Sequence, residues 1–188
     1  MTGKKNQFLL MRLLILSCSL NPASRSAQLA QLALTDGLAA GHDVELITVA
    51  SLNLPLCDGN AAYNHPMVGE LTAKIREADG IIFTLPIYNY HVNAAAKNLL
   101  ELTGDGWTGK VVGFICAAGG QGSYMSVMPF ANSLMLDFRC VIIPRFVYAT
   151  ESEFADEQLS EDGELRRRLR GVTKDVAAFA EALQGLTG

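Results

Sequence analysis

Charge is scarce in this sequence, and so is any imbalance of it. Only 18% of the 188 residues are Asp, Glu, Lys or Arg, and 19 acids against 15 bases leave a net charge of −4. Such a chain lacks the cationic surface that neutralises phosphates along a polymer, so no nucleic-acid partner is expected. Long apolar runs are missing too. No stretch approaches the roughly 18–20 residues a membrane span needs. Among the four cysteines, Cys18, Cys57, Cys116 and Cys140, no two are spaced C-x-x-C. With 49% apolar residues there is core enough without a disulfide framework, and a reducing, cytoplasmic setting is expected. His42, His65 and His91 lack close metal-ligand spacing, so no metal site is read. Neither a G-x-S-x-G elbow nor an internal repeat, linker or low-complexity segment occurs.

Two glycine-rich stretches fall short of nucleotide motifs. Gly104–Val111 nearly spells a P-loop, but Val111 replaces the hydroxyl residue that holds magnesium, and the segment leads into a strand rather than a helix. Gly120-Gln121-Gly122 begins a G-x-G-x-x-G fingerprint that Met125 then breaks. At the N-terminus, Lys4 and Lys5 precede the apolar run Phe8–Leu16, as in a secretory leader. Arg12 interrupts the run and no small-residue cleavage site follows, so the run reads as a first strand. Residues 1–10 are then a loose extension and 11–188 a single domain.

What is present is a regular alternation. Strands are predicted over Arg12–Ser17, Val44–Val49, Gly80–Leu85, Val111–Ala117 and Cys140–Ala149, several of them apolar throughout, as in sheets covered on both faces. Helical spacing is predicted over Ser24–Ala40, Pro66–Ala78, Val92–Leu102, Tyr124–Phe138 and about Gly163–Gln184. A dozen residues, Asn53–Asn64, form a long connection. Five β-α repeats argue an α/β doubly wound parallel sheet of five strands with helices on both faces. The flavodoxin-like order 2-1-3-4-5 suits that count. Ligands of such sheets sit beyond the strand C-termini at the switch between strands 1 and 3, a rule for which flavodoxin and FMN are the standing example.

The loops after strands 1, 3 and 4 are the most unusual in the chain. The first, Ser17–Ser26, leaves a strand and opens a helix. Ser17, Ser19, Asn21, Ser24 and Ser26 add side-chain polar groups to helix N-terminal amides that already favour an anion, and Arg25 adds charge. An N-capped turn with Ser24 as the cap is the plainer alternative. The second, Leu85–His91, carries Pro86, Ile87, Tyr88, Asn89 and Tyr90, which suit a planar heteroaromatic ring; a surface turn is the alternative. The third, Ala117–Ser123, carries Gly119, Gly120, Gly122 and Ser123, so the backbone can approach a ligand closely; a tight strand-to-helix turn is the alternative. The basic cluster Arg166-Arg167-Arg168 with Arg170, preceded by Glu161, Asp162 and Glu164, reads as a solvated helix face.

At these residues the chain resembles the NADPH-dependent FMN reductase family of flavodoxin-like flavoproteins, over about residues 12–150. The family's first loop reads roughly G-S-x-R-x-x-S-x-N. Ser19, Ser24 and Ser26 fill the serine and final polar positions, while Cys18 replaces the glycine and Asn21 the arginine. The triplet Ser24-Arg25-Ser26 is closer to the sulfonate-associated FMN reductase branch. Pro86-Ile87-Tyr88-Asn89 matches P-x-Y-N, and Lys97-Asn98-Leu99-Leu100 matches the K-N helix that follows; Leu54-Pro55-Leu56 and Gly119-Gly120 also fit. Asn93 stands where the family has proline.

The resemblance implies an FMN-dependent oxidoreductase. A hydride passes from NADPH or NADH to FMN, and electrons then pass to a small-molecule acceptor: free flavin, a quinone, an azo compound or a metal ion. The three loops above would bind the cofactor, no side-chain acid or base is required, and a homodimer or homotetramer is implied. Two other readings stay open: a flavodoxin-type FMN electron carrier without nicotinamide turnover, and a flavin-free binding module.

Overall fold

The computed structural model describes residues 9–154 and 159–184; residues 1–8 of the expected N-terminal extension lie outside the described residues. Strand β1 (Arg12–Ser17) lies between β2 (Asp43–Thr48) and β3 (Gly80–Tyr88), parallel to both. Strand β4 (His91–Val92) folds back antiparallel on the end of β3. Strand β5 (Val111–Ala117) pairs with β3 on its other side. Two short strands, β6 (Val141–Ile142) and β7 (Val147–Ala149), continue the sheet beside β5. The path β2-β1-β3-β5-β6 is the order 2-1-3-4-5 in the sequence of the parallel strands, a flavodoxin-like doubly wound sheet.

Helix α1 (Arg25–Ala39) and the last helix, α5 (Glu164–Gln184), cover one face. There Leu29, Ala33, Leu169 and Val176 pack over Leu13, Ile15, Ile82 and Ile115. Helices α2 (Pro66–Glu77), α3 (Ala94–Leu102) and α4 (Met128–Phe138) cover the other, with Leu71, Leu99 and Phe130 over Leu16, Phe83 and Phe114. The Phe83 ring stacks on Trp107 at 5.1 Å and meets Phe130 edge-on at 5.2 Å. Each such side chain, fully buried, stabilises the fold by about 1.5–3 kcal/mol. Because both faces are covered, β1 and β5 carry almost no polar residue, which is why their limits agree with the apolar runs. The described residues include no helix long and apolar enough to cross a membrane.

Proline accounts for two departures from the expected elements. The fifth strand is not continuous: β6 and β7 pair with opposite ends of β5, and Pro144 sits in the gap with no N–H to give a ladder. The expected helix Tyr124–Phe138 is a 3₁₀ segment (Gln121–Val127) followed by α4. An α-helix running through this point would need an N–H at Pro129 for the Met125 carbonyl. Of the residues at helical spacing here, Val127, Ala131 and Leu134 are buried, while Tyr124 and Met128 lie exposed. Helix α3 also starts two residues late, because Val92 pairs with Ile87.

The arginine cluster is the clearest correction. Arg167 and Arg170 are exposed, but Arg166 is only 2% accessible and bonds Asp36 of α1 at 2.8 Å. Its position explains this. Residues 166, 169, 173, 176 and 180 recur at helical spacing on the buried face of α5.

Candidate functional site

Three loops leave the C-terminal ends of β1, β3 and β5 side by side, at the switch between the first and third parallel strands. Short-range hydrogen bonds shape the first two, while bonds to distant residues pin the first and brace the third.

In the first loop, Ser17 closes β1 with its Oγ buried and without a hydrogen-bond partner. The Cys18 N–H donates to Thr84 O of β3 at 3.0 Å. Ser19 is buried and its Oγ accepts from Asn21 N at 3.1 Å, while Asn21 Oδ1 accepts from Ala23 N at 3.0 Å. Two short polar residues thus replace backbone partners and bend the chain toward α1. Ser24 is the N-cap: its Oγ accepts from Ala27 N at 3.1 Å and lies 3.1 Å from Ser26 Oγ. No helix carbonyl can reach the first-turn amides of Arg25 and Ser26, and the first turn carries no acid. The positive end of the α1 dipole is therefore not neutralised by its own side chains. The Arg25 head, rather than standing free in solvent, pairs with Glu151 at 2.6 Å and lies 5.4 Å from the centre of the Phe154 ring.

The second loop is a hairpin. Tyr88 pairs with His91 across Asn89 and Tyr90, whose φ values are +50° and +62°. Positive φ at both central positions is the type I′ pattern that matches strand twist. Asn tolerates it; for Tyr the left-handed region costs roughly 1–2 kcal/mol. The turn leaves Tyr88 and Tyr90 exposed at the sheet edge. The third loop is open. A Cβ built on Gly119 or Gly120 would meet nothing within 4 Å, and one on Gly122 would lie 3.4 Å from the Tyr90 hydroxyl.

These loops enclose a cleft of about 790 Å³, of the size that takes small ligands. Ser24, Arg25 and Ser26 line one end; Pro86, Ile87, Tyr88 and Asn89 line a side; Gly119 lines the floor with Ala117 and Ala118. A recess of about 320 Å³ shares Ile87, Asn89 and Gly119 with it and adds Tyr90, Gly120, Gly122 and Ser123. Ser17, Ser19 and Asn21 line neither; the latter two shape the turn from behind. Among the lining residues Arg25 is the single charged one, and none is His, Asp, Glu or Cys. Among the described residues no cluster of His, Cys, Asp and Glu could hold a metal. Burial drives the Cys18 thiol far above its ordinary range, so it is not a thiolate behind this cleft. A cleft with hydroxyls, amides and aromatic rings but no acid or base is equipped to hold a group that carries its own chemistry.

Sequence reasoning missed the residues that brace the third loop. Tyr148 of β7 is buried, and its hydroxyl donates to Gly120 O at 2.7 Å and accepts from Ser123 Oγ. Thr150 Oγ1 accepts from Gln121 Nε2 at 3.4 Å, and the Thr150 N–H donates to Glu153 Oε2 at 2.9 Å. Arg168 fixes that carboxylate at 2.6 Å. Tyr148 lies within an apolar run, and only knowing that β7 borders β5 reveals its reach. His91, adjoining the second loop in sequence, belongs to the hairpin and lines neither space.

Comparison with known proteins agrees with this geometry. The sequence profile described as NADPH-dependent FMN reductase matches residues 11–154. A protein of Arabidopsis thaliana named NADPH:quinone oxidoreductase is 31% identical over 186 residues, covering 94% of this chain and 95% of that protein. An NAD(P)H:quinone oxidoreductase of Solanum tuberosum is 27% identical over 153 residues, covering 77% and 79%. Among solved structures, a flavoenzyme NAD(P)H:(acceptor) oxidoreductase of Paracoccus denitrificans superposes with a TM-score of 0.75 at 18% identity, covering 92% of this chain and 98% of that one. At that identity the likeness concerns the fold.

Proposed function

Since this chain belongs to the NADPH-dependent FMN reductase family, and is thus an oxidoreductase that uses FMN and NAD(P)H, we propose that the cleft holds FMN and passes electrons from NADPH or NADH to a small-molecule acceptor. The observation that carries this reading is the joining of an acid-free helix N-terminus, an aromatic hairpin and an open glycine floor in one cleft.

The residues present fit FMN at both ends. Ser24, Ser26 and the first-turn amides of α1 would hold the phosphate. Pro86, Ile87, Tyr88, Asn89 and Tyr90 would flank the ring, and Gly119, Gly120, Gly122 and Ser123 would let the backbone lie against it. Bound FMN would supply the chemistry, taking a hydride from NAD(P)H and returning electrons to free flavin, a quinone, an azo compound or a metal ion. The protein's part is to bind, orient and shield. Loop amides near Asn89 and Gly119 would face charge that develops on the ring edge, and the exposed Tyr88 face would take a second planar molecule.

The purified protein is expected to be yellow, or to turn yellow with added FMN, and to bleach when NADPH or NADH is added without oxygen. A protein that stays colourless with excess FMN would overturn the reading. Bound flavin without NAD(P)H oxidation in the presence of an acceptor would leave a flavodoxin-type carrier instead. The same proposal includes one domain over 11–188, a cytoplasmic location and a homodimer or homotetramer. Exposed Met125, Met128, Met135 and Leu136 support self-association. Light scattering should give a mass of two or four chains, and a monomer at micromolar concentration would remove that part.

A further inference from the structure

One buried side chain joins the first loop to the second. Asn93 precedes α3 at the position where asparagine commonly turns back to cap first-turn amides, yet it makes no such bond. Its side chain points the other way. Nδ2 donates to Cys18 O at 2.7 Å, and the residue is only 6% exposed. Its backbone N–H donates to Pro86 O at 3.3 Å. Asn93 thus holds a carbonyl of each loop.

The Cys18 residue is gripped from both sides as a result. Its N–H is held by Thr84 O of β3 and its C=O by Asn93, immediately before the chain turns through Ser19 to Ser26. Asn93 Oδ1 is left buried and unpartnered. Giving up a cap and stranding an acceptor both destabilise the fold, so this rotamer is arranged for the loop and not for the helix.

We propose that Asn93 is a positioning residue that fixes the Ser17–Ser26 loop against the Tyr88–His91 hairpin and so sets the spacing between the two ends of the cleft. The consequence for FMN rests on the reading of that cleft given above. A ligand gripped at its phosphate and its ring gains affinity from a preset spacing, because no binding energy is then used to order the loops.

The test uses Asn93→Ser and Asn93→Ala in the full chain. Serine is neutral and a good N-cap but too short to reach Cys18 O; alanine supplies neither function. In Asn93→Ser, the apoprotein melting temperature should hold or rise. Amide hydrogen exchange over residues 18–24 should accelerate at least about tenfold, and the Kd for FMN, read by quenching of flavin fluorescence, should rise about tenfold, the scale of one lost hydrogen bond. Asn93→Ala should show the same two losses with a lower melting temperature. If serine restores both exchange and affinity to within twofold of wild type, Asn93 serves α3 alone and the proposal falls. Faster exchange with unchanged FMN affinity overturns the link to the ligand. A wild-type protein that binds no FMN overturns the FMN reading instead, and the exchange data still decide whether Asn93 clasps the loop.

Discussion

A Ser24→Asp protein is expected to lose about a hundredfold in FMN affinity while its apoprotein melts at or above the wild-type temperature. Aspartate caps a helix as well as serine does and interacts favourably with the positive end of the dipole. The fold therefore has no reason to suffer, since Ser24 Oγ has only Ala27 N and Ser26 Oγ to satisfy. A phosphate at the α1 N-terminus would meet a new negative charge about 5 Å away. Between effective dielectric constants of ~20 and ~80, a unit charge opposing a dianion at that distance costs roughly 2–7 kcal/mol. Riboflavin, which has no phosphate, should bind wild type and variant within about threefold of each other. Fluorescence titrations with both flavins decide the matter. An equal loss for riboflavin would put the ring, not the phosphate, against α1.

The largest effect on stability is expected at Arg166, which does not line the cleft. Arg166→Ala should destabilise the protein by about 3–5 kcal/mol, because Asp36 is left charged and buried between α1 and α5. In a chain of this length that lowers the melting temperature by roughly 10 °C. The partner Glu161 at 3.3 Å is an exposed carboxylate and cannot compensate. Replacing both members, Asp36→Leu with Arg166→Met, should restore wild-type stability or exceed it, since Asp36 Oδ2 and Arg166 Nε and Nη1 already lack partners. Burial holds the Asp36 carboxyl above its ordinary value even with Arg166 and Arg170 pulling it down. Without Arg166 it rises further. The single variant's penalty is then greatest at neutral pH and shrinks as the pH falls and the buried carboxyl takes up a proton. Urea unfolding at two pH values measures this, and a single-variant loss below 1 kcal/mol would disprove it.

How far the molecule was legible in its sequence follows from what each part depends on. Strands β1 and β5 could be bounded to the residue because both faces are covered and polarity changes abruptly at their ends. Helix α1 was legible through Ser24, a cap whose chemistry is local. The β3–β4 hairpin was not, since Asn-Tyr is a poor signature for a turn that usually carries glycine, and only the completed sheet imposes positive φ on Tyr90. The three cleft loops were found because strand order places them together. Their braces, Tyr148 and Asn93, were missed because each acts on a partner 28 or 75 residues away, a distance no local pattern encodes. Arg166 was misread because a run of arginines looks solvated until Asp36 on a neighbouring helix is known.

Helix α5 lies so close to the sheet that a Cβ at Gly80 or Gly113 would come within 2.5 or 2.7 Å of Val176. This contact has a consequence for the order in which the protein can come into being. Every loop of the cleft is encoded before residue 124, yet the face of the sheet under Leu13, Ile82 and Ile115, which α1 covers in part, is completed only when α5 arrives. A chain still attached to the ribosome, with α5 inside the exit tunnel, carries all the cleft-lining residues on a sheet with one face only part-covered, the kind of surface that chaperones hold. The cleft is translated before the helix that completes the core beneath it.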